Sequence, residues 1–325
     1  MKGRVTPDEP TPRLRRDQVS FYFDRLIEPI LTVKSGQRVI VETEDANVAL
    51  VRSEEDIYTD ASVLYEKAGG SDPVTGPIFV EGARPGDCLA ITLNRIDPGG
   101  PEALGYTAVF QKLGALESSY SLQLPLEPRT KILHMADGIA MLKLDHKTVN
   151  IPMHPFIGTI GTAPKYDRVR SYLYGHDYCG NVDCPQITAG NTVVLPVNVD
   201  GGLLALGDCH GAQGAGEITG AALETRAEVD ITVHCIPRPE AQYVGLPQVN
   251  AEGWIGSIGC IWGATLDDNI RAAYVDLVRR MEQFHGFDPL DAYILLNLVG
   301  RVSVGQVVDP AYYACVAMID REYLG

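Results

Sequence analysis

The chain lacks three features that mark nucleic-acid-binding, membrane-spanning and secreted proteins. Its 27 lysines and arginines are outnumbered by 42 aspartates and glutamates, which gives a net charge of −15. Such a charge argues against nucleic acid and anionic membrane surfaces as partners. No run approaches the about 18 apolar residues of a membrane span, and the Pro- and Arg-rich segment 1–16 has no apolar run of the kind found in secretory signals. We therefore expect a cytoplasmic protein with neither nucleic acid nor membrane as a partner.

Close cysteine pairs and common catalytic signatures are also missing. The seven cysteines form no compact framework, so we expect free thiols in a reducing compartment. Cys179 and Cys184 have no matching second pair, which argues against a zinc–thiolate site. The sequence has no H-E-x-x-H, no P-loop and no nucleophile elbow, and its glycines miss the dinucleotide-binding spacing by one residue. These absences favour a metal site over a nucleotide, serine or cysteine mechanism.

Short β-forming runs separated by turns make up most of the chain. The runs 38–43 and 88–93 are typical strands. The run 193–199 contains Pro196, which predicts an edge or bulged strand. The polar segment 165–178, with four tyrosines, predicts a mobile loop over a pocket.

The hydrophobic period changes from two to 3.6 only near the C-terminus. Thr265 opens a capping-box-like sequence, and the apolar stripe that follows ends before Gly286, which predicts one helix. Asp288 and Pro289 predict the start of a second helix that runs to Gly300. We therefore predict a mainly β protein with a small α/β C-terminal part, whose helices serve as scaffold.

The glycine-rich segment 207–220 is the strongest candidate for a functional site. It follows an apolar strand that delivers Asp208 and His210 two residues apart, so both side chains leave on one face. Glu217 adds a second carboxylate. Cys209, between the first two, points the opposite way and is not expected to act as a nucleophile. The alternative is a polar hairpin with a glycine turn.

Several motifs in a fixed order surround this segment. They are Thr-Gly-Pro at 75–77, Val-Glu-Gly-Ala at 80–83, Pro-Gly-Asp at 85–87, Pro-Phe-x-Gly-x-Ile-Gly-x-Ala-Pro at 155–164, Gly-Asn-x-Asp at 180–183, Leu-Pro-Val at 195–197, and Gly-Asp-x-His-x-x-Gln-Gly-x-Gly-Glu-x-x-Gly at 207–220, closed by Glu224. In this respect the chain resembles the acetamidase/formamidase family of amide hydrolases. The resemblance covers about residues 31–236 and extends more loosely over the C-terminal helices.

The resemblance implies hydrolysis of a carboxamide, such as formamide or acetamide, to a carboxylate and ammonia. It implies a bound divalent metal, zinc or alternatively calcium, and a homo-oligomer, often a dimer. It also implies a jelly-roll-like β-sandwich with β-barrel parts. We accordingly divide the chain into a flexible arm (1–18), a β-rich catalytic core (19–236) and a C-terminal α/β portion packed on the core (237–325).

Three features depart from the family pattern. Asp72 stands where the family usually has a histidine, which shifts the metal preference toward a harder ion. Ala215 stands where an aspartate is common, and Cys209 and Gly211 are untypical fillers. These changes favour a relative that acts on a cyclic amide, imide or carbamate as the same-class alternative. A non-catalytic small-molecule-binding protein on the same fold is the alternative from a different class.

Roles for the individual residues follow from the resemblance and from what amide hydrolysis needs. We predict Asp208, His210 and Glu217 as the catalytic residues, with Glu217 as the general base. The predicted metal ligands are Asp208, His210, Asp45, Asp72 and Glu224. The predicted substrate-binding residues are Asn181, Asp183, Gly214 and Gly216, the two glycines through their backbone N–H groups.

Overall fold

The computed structural model describes residues 10–116, 126–238, 245–308 and 312–325. Its strands are β1 (Arg13–Leu14), β2 (Val19–Ser20), β3 (Tyr22–Phe23), β4 (Leu31–Val33), β5 (Gln37–Thr43), β6 (Val74–Val80), β7 (Cys88–Pro98), β8 (Leu104–Val109), β9 (Arg129–Ala136), β10 (Ile139–Lys143), β11 (Thr148–Pro152), β12 (Phe156–Gly161), β13 (Val169–Arg170), β14 (Tyr174–Gly175), β15 (Cys179–Asn181), β16 (Thr192–Pro196), β17 (Leu204–His210), β18 (Glu224–Thr225), β19 (Ala227–Ile236), β20 (Gln248–Asn250), β21 (Trp254–Gly259), β22 (Arg301–Gln306) and β23 (Ala314–Asp320). The helices are α1 (Ala61–Ala68), α2 (Leu266–His285) and α3 (Pro289–Val299), with single 3₁₀ turns at Gly100–Glu102 and Arg321–Tyr323.

Two large sheets dominate the described part of the chain. The first has nine strands in the order β1-β5-β19-β7-β16-β20-β21-β23-β22. The second has twelve strands, with the path β11-β10-β9-β8-β18-β17-β12-β15-β14 and with β6 joining β17 to β2 and β4. The largest apolar cluster takes residues from both sheets, among them Val41, Ile91 and Val229 of the first and Ile78 and Leu206 of the second. The mainly β, sandwich-like fold predicted from the sequence is confirmed.

The described C-terminal residues extend the first sheet and do not form a separate lobe. Strands β20 to β23 continue the sheet that β5, β7, β16 and β19 begin. Both predicted helices are present: Thr265 caps α2, Gly286 follows it with φ 70°, and Asp288 caps α3. Helix α2 packs on β21 and β23, and α3 packs on α2. Leu277, Met281 and Leu296 of the two helices are buried in a second apolar cluster. No helix in the described ranges is long and apolar enough to cross a membrane.

Two local expectations differ from the structure. The prediction of an edge or bulged strand at 193–199 is wrong, because β16 pairs regularly with β7 on one side and with β20 on the other. Pro196 is tolerated because it is the last residue of that strand. Within the predicted flexible arm, Arg13 and Leu14 pair in parallel with Ile40 and Val41 of β5, and residues 1–9 lie outside the described residues.

The seven cysteines are unpaired, as expected from their spacing. Six of them are buried, and Cys209 is part of the apolar core. Burial raises the pKa of the Cys209 thiol to about 12, so the thiolate is not populated at neutral pH.

Candidate active site

The site begins where β17 leaves the core. Asp208 and His210 lie at the end of this strand, and the antiparallel register sets His210 opposite Glu224 of β18. Oδ1 of Asp208 and Oε1 of Glu224 each lie 3.3 Å from Nε2 of His210. The loop between the two strands carries Glu217, which lines the same cavity. The glycine-rich segment and β18 therefore place Asp208, Glu217 and Glu224 in one cavity with the imidazole of His210.

Two further strands deliver the residues of the Gly-Asn-x-Asp motif. Strand β15 pairs with β12, with Asn181 opposite Thr159, and Asp183 follows two residues later. Gly158 of β12 is needed for this arrangement, because a Cβ there would lie 2.5 Å from Oδ2 of Asp208 and 2.6 Å from Oδ1 of Asp183. The carbonyl of Gly158 also accepts the backbone N–H groups of residues 182 and 183. The missing side chain thus lets both carboxylates approach the strand.

These residues line a cavity of about 290 Å³. It contains the carboxyl groups of Asp72, Asp183, Asp208, Glu217 and Glu224 together with His210. All six residues except Asp72 are buried. Lys112, the one lysine or arginine among the described lining residues, directs its ammonium group to Asp60. The acid cluster therefore carries far more potential negative charge than its single imidazole balances.

Gln213 orients the imidazole. Its Nε2 donates to the backbone carbonyls of Asp183 and Gly305, at 2.9 and 3.0 Å, so its Oε1 must face Nδ1 of His210, 2.8 Å away. An amide oxygen only accepts, so Nδ1 carries the proton. Nε2, which faces Asp208 and Glu224, is then the nitrogen that binds a metal or a proton. A polar group that holds the other ring nitrogen is typical of histidine metal ligands.

The pKa values of four cavity acids are raised, mainly by burial and also by repulsion among the acids. Burial raises the pKa of Glu217 to about 8 and that of Glu224 to about 7, against the opposing effect of His210. Burial and the neighbouring carboxylates raise the pKa values of Asp72 and Asp183 well above their usual range. Without a bound cation, these carboxyl groups therefore take up protons more readily than exposed carboxyl groups do.

Asp208 and His210 shift in the opposite sense. Burial opposes both ionised forms, but the interaction with His210 lowers the pKa of Asp208. Burial would likewise lower the pKa of His210, yet Glu224 and Asp208 raise it well above its usual value. The pair is thus an ion pair surrounded by acids whose pKa values are raised.

The backbone is left-handed at four of the site acids. Asp72, Asp183, Asp208 and Glu217 have φ of 51°, 46°, 53° and 46°. Such values cost energy for residues other than glycine and tend to cluster at functional sites. They aim the side chains into the cavity from positions that an extended strand would not provide.

Three predicted site residues do not join this group. Among the described residues that line the cavity, Asp45, Gly214 and Gly216 are absent. Asp45 binds Arg52 at 2.8 Å and accepts the backbone N–H groups of Asn47 and Ala49. Gly216 donates its N–H to the carbonyl of Val304, so this group does not stabilise an oxyanion. Gly214 faces a second, more apolar cavity on the other side of the loop.

Strand β22, near the C-terminus, supports the site in a way that the sequence did not predict. The carbonyl of Gly305 accepts Gln213 Nε2, and Gln306 Nε2 donates to the carbonyl of Asn181 at 2.8 Å. Val307 N–H donates to the carbonyl of Gly216 at 2.8 Å. The strand therefore holds the glycine-rich loop, although the two are about 90 residues apart in sequence. No local sequence pattern predicts hydrogen bonds between such distant segments. Gln213 belongs to the 207–220 motif, but its role in orienting His210 is visible only from its hydrogen bonds in the structure.

The donor set fits a divalent cation. Oδ1 of Asp183 and Oε2 of Glu224 are buried and lack a hydrogen-bond partner among the described residues. Two overlapping groups have ligand atoms within 4.8 Å of one another, namely Asp183, Asp208 and His210, and His210, Glu217 and Glu224. Two ligands of one zinc ion, each about 2.0–2.2 Å from the metal, lie about 3.4 Å apart in tetrahedral geometry. The 3.3 Å separations around His210 Nε2 agree with that value.

Comparisons with known proteins match both the sequence and the fold of this chain to one family. The sequence model of the acetamidase/formamidase family matches residues 15–172 and 170–319. The crystal structure of an acetamidase from Bacillus halodurans has a TM-score of 0.84, with 30% identity over 96% of this chain and 99% of that one. An acetamidase structure from Yersinia enterocolitica gives a TM-score of 0.84, with 32% identity over 95% of this chain and 91% of that one.

Matches at the level of sequence alone are shorter. An acetamidase from Mycolicibacterium smegmatis is 28% identical over 217 residues, which is 50% of this chain and 53% of that protein. The chain spans about half the length of the curated relatives that it matches. Its fold, however, is shared almost from end to end with the solved structures. The match to the family model over most of the sequence, together with this shared fold, shows that the chain belongs to the acetamidase/formamidase family.

Proposed function

We propose that this protein is a metal-dependent amidase that hydrolyses a primary carboxamide to a carboxylate and ammonia. The observation that carries the proposal is the cavity in which Asp208 and Glu224 face Nε2 of His210 at 3.3 Å while further acids lie around them. Buried carboxylates in such excess require either protons or a cation. Membership of the family supports amide hydrolysis as the reaction.

Asp208, His210 and Glu224 are the proposed ligands. Asp183 has an oxygen free to complete the set. The imidazole favours zinc, and the oxygen-rich remainder leaves calcium as the alternative. A divalent cation held there would supply Lewis-acid polarisation of the carbonyl and lower the pKa of water toward about 7.

Glu217 is the proposed general acid–base. A carboxyl whose pKa lies near 8 exchanges a proton in either direction around neutral pH. It would take a proton from the attacking water and return it to the nitrogen as the C–N bond breaks, so that ammonia leaves and the carboxylate remains. Its position beside Asp183 in the cavity supports this role.

Asn181 is the proposed acceptor for the substrate amide. Its Nδ2 donates to Oδ2 of Asp72 at 3.1 Å, which turns its own Oδ1 the other way. That oxygen is buried and has no partner among the described residues. An unpaired buried acceptor favours a ligand that brings an N–H donor, such as a primary amide. Asp72 thus acts through Asn181 in this proposal.

Metal analysis combined with an ammonia assay tests the proposal. We expect the purified protein to contain about one equivalent of divalent metal per active site and to release ammonia from a primary amide, with loss of activity on chelation and recovery on zinc addition. A lactam of similar size, which opens without releasing ammonia, tests the cyclic-amide alternative in the same experiment. Failure of every primary amide in the metal-loaded enzyme would falsify the proposed reaction.

We also propose that the protein works as a homo-oligomer, a dimer or larger. Helix α3 leaves Leu290, Tyr293, Ile294 and Leu298 between 58% and 73% exposed, an apolar surface of the kind that marks association. Light scattering coupled to gel filtration tests this proposal, and a monomeric mass at micromolar concentration contradicts it.

A further inference from the structure

Part of the cavity lining is apolar and largely aromatic. The described residues that form it are Tyr65, Phe110, Leu113, Tyr172, Val308 and Tyr312. Phe110 and Val308 are buried, and Tyr65 and Leu113 pack on the cluster to which Phe110 belongs. The cavity lining therefore includes a group of rings and apolar side chains besides the carboxylates and other polar residues.

Two tyrosines of this wall stack on each other. Tyr65 comes from α1, and Tyr172 comes from the segment 165–178 that the sequence predicted to cover a pocket. Their ring centroids are 6.1 Å apart, with 19° between the planes. Offset stacking of this kind holds both rings in a fixed orientation.

Tyr312 is fixed in a second aromatic group. It makes edge-to-face contacts with Trp262, at 5.0 Å between centroids, and with Tyr174, at 6.4 Å. Tyr174 in turn lies 5.4 Å from Trp262. Contacts with other rings therefore hold Tyr65, Tyr172 and Tyr312 in place, so the wall is a preformed surface for a ligand.

The aromatic wall adjoins the reacting groups. Burial raises the pKa of the Tyr65 hydroxyl, and the charge of Asp72, together with smaller contributions from Tyr312 and Glu217, adds to this effect. Tyr65, Asp72 and Glu217 also line the same cavity, so an amide group among the acids would have its organic substituent within reach of this wall. No lysine or arginine lines the described part of this wall apart from Lys112, which pairs with Asp60.

The cavity is larger than the smallest amides need. Acetamide has four non-hydrogen atoms, and at about 30 Å³ for each, the share of one water molecule in the liquid, it fills less than half of 290 Å³. The rest of the space would hold water against apolar rings, which is unfavourable. A substrate that covers the rings removes this cost.

We propose that this site is specific for primary amides that carry an aryl or similarly large apolar group, which lies against Tyr65, Tyr172 and Phe110. The inference rests on the proposed amide hydrolysis and adds the substrate class. It assigns the carboxamide end to the acids and the organic end to the wall.

A substrate series tests the inference. The zinc-loaded protein is assayed for ammonia release from formamide, acetamide and phenylacetamide, and kcat/KM is compared. We expect phenylacetamide to exceed acetamide by at least about ten-fold, which corresponds to about 1.4 kcal/mol. Equal or higher kcat/KM for acetamide or formamide overturns the inference while leaving amide hydrolysis in place.

Variants of the wall locate the preference. Tyr172→Ala should reduce the ratio of kcat/KM for phenylacetamide to that for acetamide at least about five-fold, because the ring it removes is half of the stacked pair. Tyr172→Phe keeps the ring and should keep the ratio. Tyr166→Ala removes a tyrosine that is 70% exposed and outside the lining, and serves as the matched control. A ratio that Tyr172→Ala leaves unchanged contradicts the assignment of the wall.

Calorimetric binding separates this inference from the proposed reaction. If no amide is hydrolysed, the proposed reaction fails, and binding of phenylacetamide and acetamide to the same protein still decides the inference. Tighter binding of phenylacetamide that Tyr172→Ala weakens supports the aromatic subsite. Binding without a preference, or no binding at all, overturns it.

Discussion

Two groups of buried acids lie near each other in this protein and have different surroundings. Glu44 and Asp45, directly after β5, are neutralised by arginines: Arg226 binds Glu44, and Arg52 binds Asp45 at 2.8 Å. The acids of the cavity instead face one another and a single histidine. In the first group each carboxyl has an arginine partner, although burial still raises the pKa of Asp45. The absence of a comparable partner among the described residues of the second group is what indicates function.

Removal of the one base in the acid cluster should have the largest effect. His210→Ala takes away the nitrogen ligand and the charge that keeps Asp208 ionised. We expect loss of bound metal and a fall in kcat of more than about 10⁴-fold, beyond what acid–base assistance alone supplies. Metal analysis and an ammonia assay on the folded variant measure both. His146→Ala, at an exposed histidine, is the control, and full metal content with full rate in His210→Ala would refute the assignment.

Glu217→Gln should have the next largest effect. Glutamine has nearly the same size but accepts no proton at neutral pH, so we expect kcat to fall by about 10²–10⁴-fold with KM changed far less and metal retained. Loss of metal along with rate would make Glu217 a ligand. A normal kcat with a lower melting temperature would limit it to the hydrogen bond that it accepts from the Ala222 backbone. Glu81→Gln, on the exposed surface, is the matched control.

Metal removal should make the stability of the protein depend on pH, with stability falling as pH rises. The pKa values of Glu217 and Glu224 are raised in the folded state to about 8 and about 7. The folded protein therefore binds more protons than the unfolded chain between these values and about 4.3, and its stability falls as pH rises through that window. His210, whose pKa is also raised, acts in the same direction above its usual value.

We accordingly expect the melting temperature of the chelated protein to fall by at least about 5 °C between pH 5 and pH 8, since each pKa unit corresponds to about 1.4 kcal/mol. The zinc-loaded protein should change much less, because the cation replaces the protons. Differential scanning fluorimetry of the two forms across the pH range makes the comparison. Parallel curves would contradict the placement of the cation among these carboxyl groups.

Asp45→Asn should have the smallest effect on activity and a moderate one on stability. Asp45 binds Arg52 and accepts two backbone N–H groups, so weakening these bonds should lower the free energy of unfolding by about 1–3 kcal/mol. Metal content and kcat should stay near those of the unmodified protein. Chemical denaturation and the ammonia assay measure the two quantities. Loss of metal in this variant would erase the distinction between the two groups of acids.

The sequence predicted the parts of the site that lie close together in the chain. Asp208 and His210 share one strand end, and Glu217 follows in the same glycine-rich segment, so local geometry was enough to group them. The placement of Asp183 against Asp208 depends on the pairing of β12 with β15 and β17, which only the fold decides. Asp45 was predicted as a metal ligand because the sequence does not show that it forms an ion pair with Arg52. Gly216 was assigned to the substrate because the sequence does not show that its N–H donates to Val304 of β22, which lies far along the chain.

The mainly β architecture was predictable for similar reasons. Alternating apolar residues and turns identify single strands, and the caps at Thr265 and Asp288 identify the ends of helices. The order of strands in a sheet cannot be predicted from the sequence of any single strand, because it depends on pairing between distant segments. Pro196 illustrates the limit, since its meaning depends on whether it lies inside its strand or at the end.

The left-handed backbone at Asp72, Asp183 and Asp208 restricts which residues those positions accept. Aspartate, asparagine and glycine tolerate positive φ far better than other residues, and β-branched side chains tolerate it least. Saturation mutagenesis at these positions should therefore return, among folded variants, chiefly Asp, Asn and Gly, whatever the selection for activity. Asparagine removes the charge and keeps the conformation, so it is the substitution that isolates electrostatics from folding, whereas alanine scanning would combine the two.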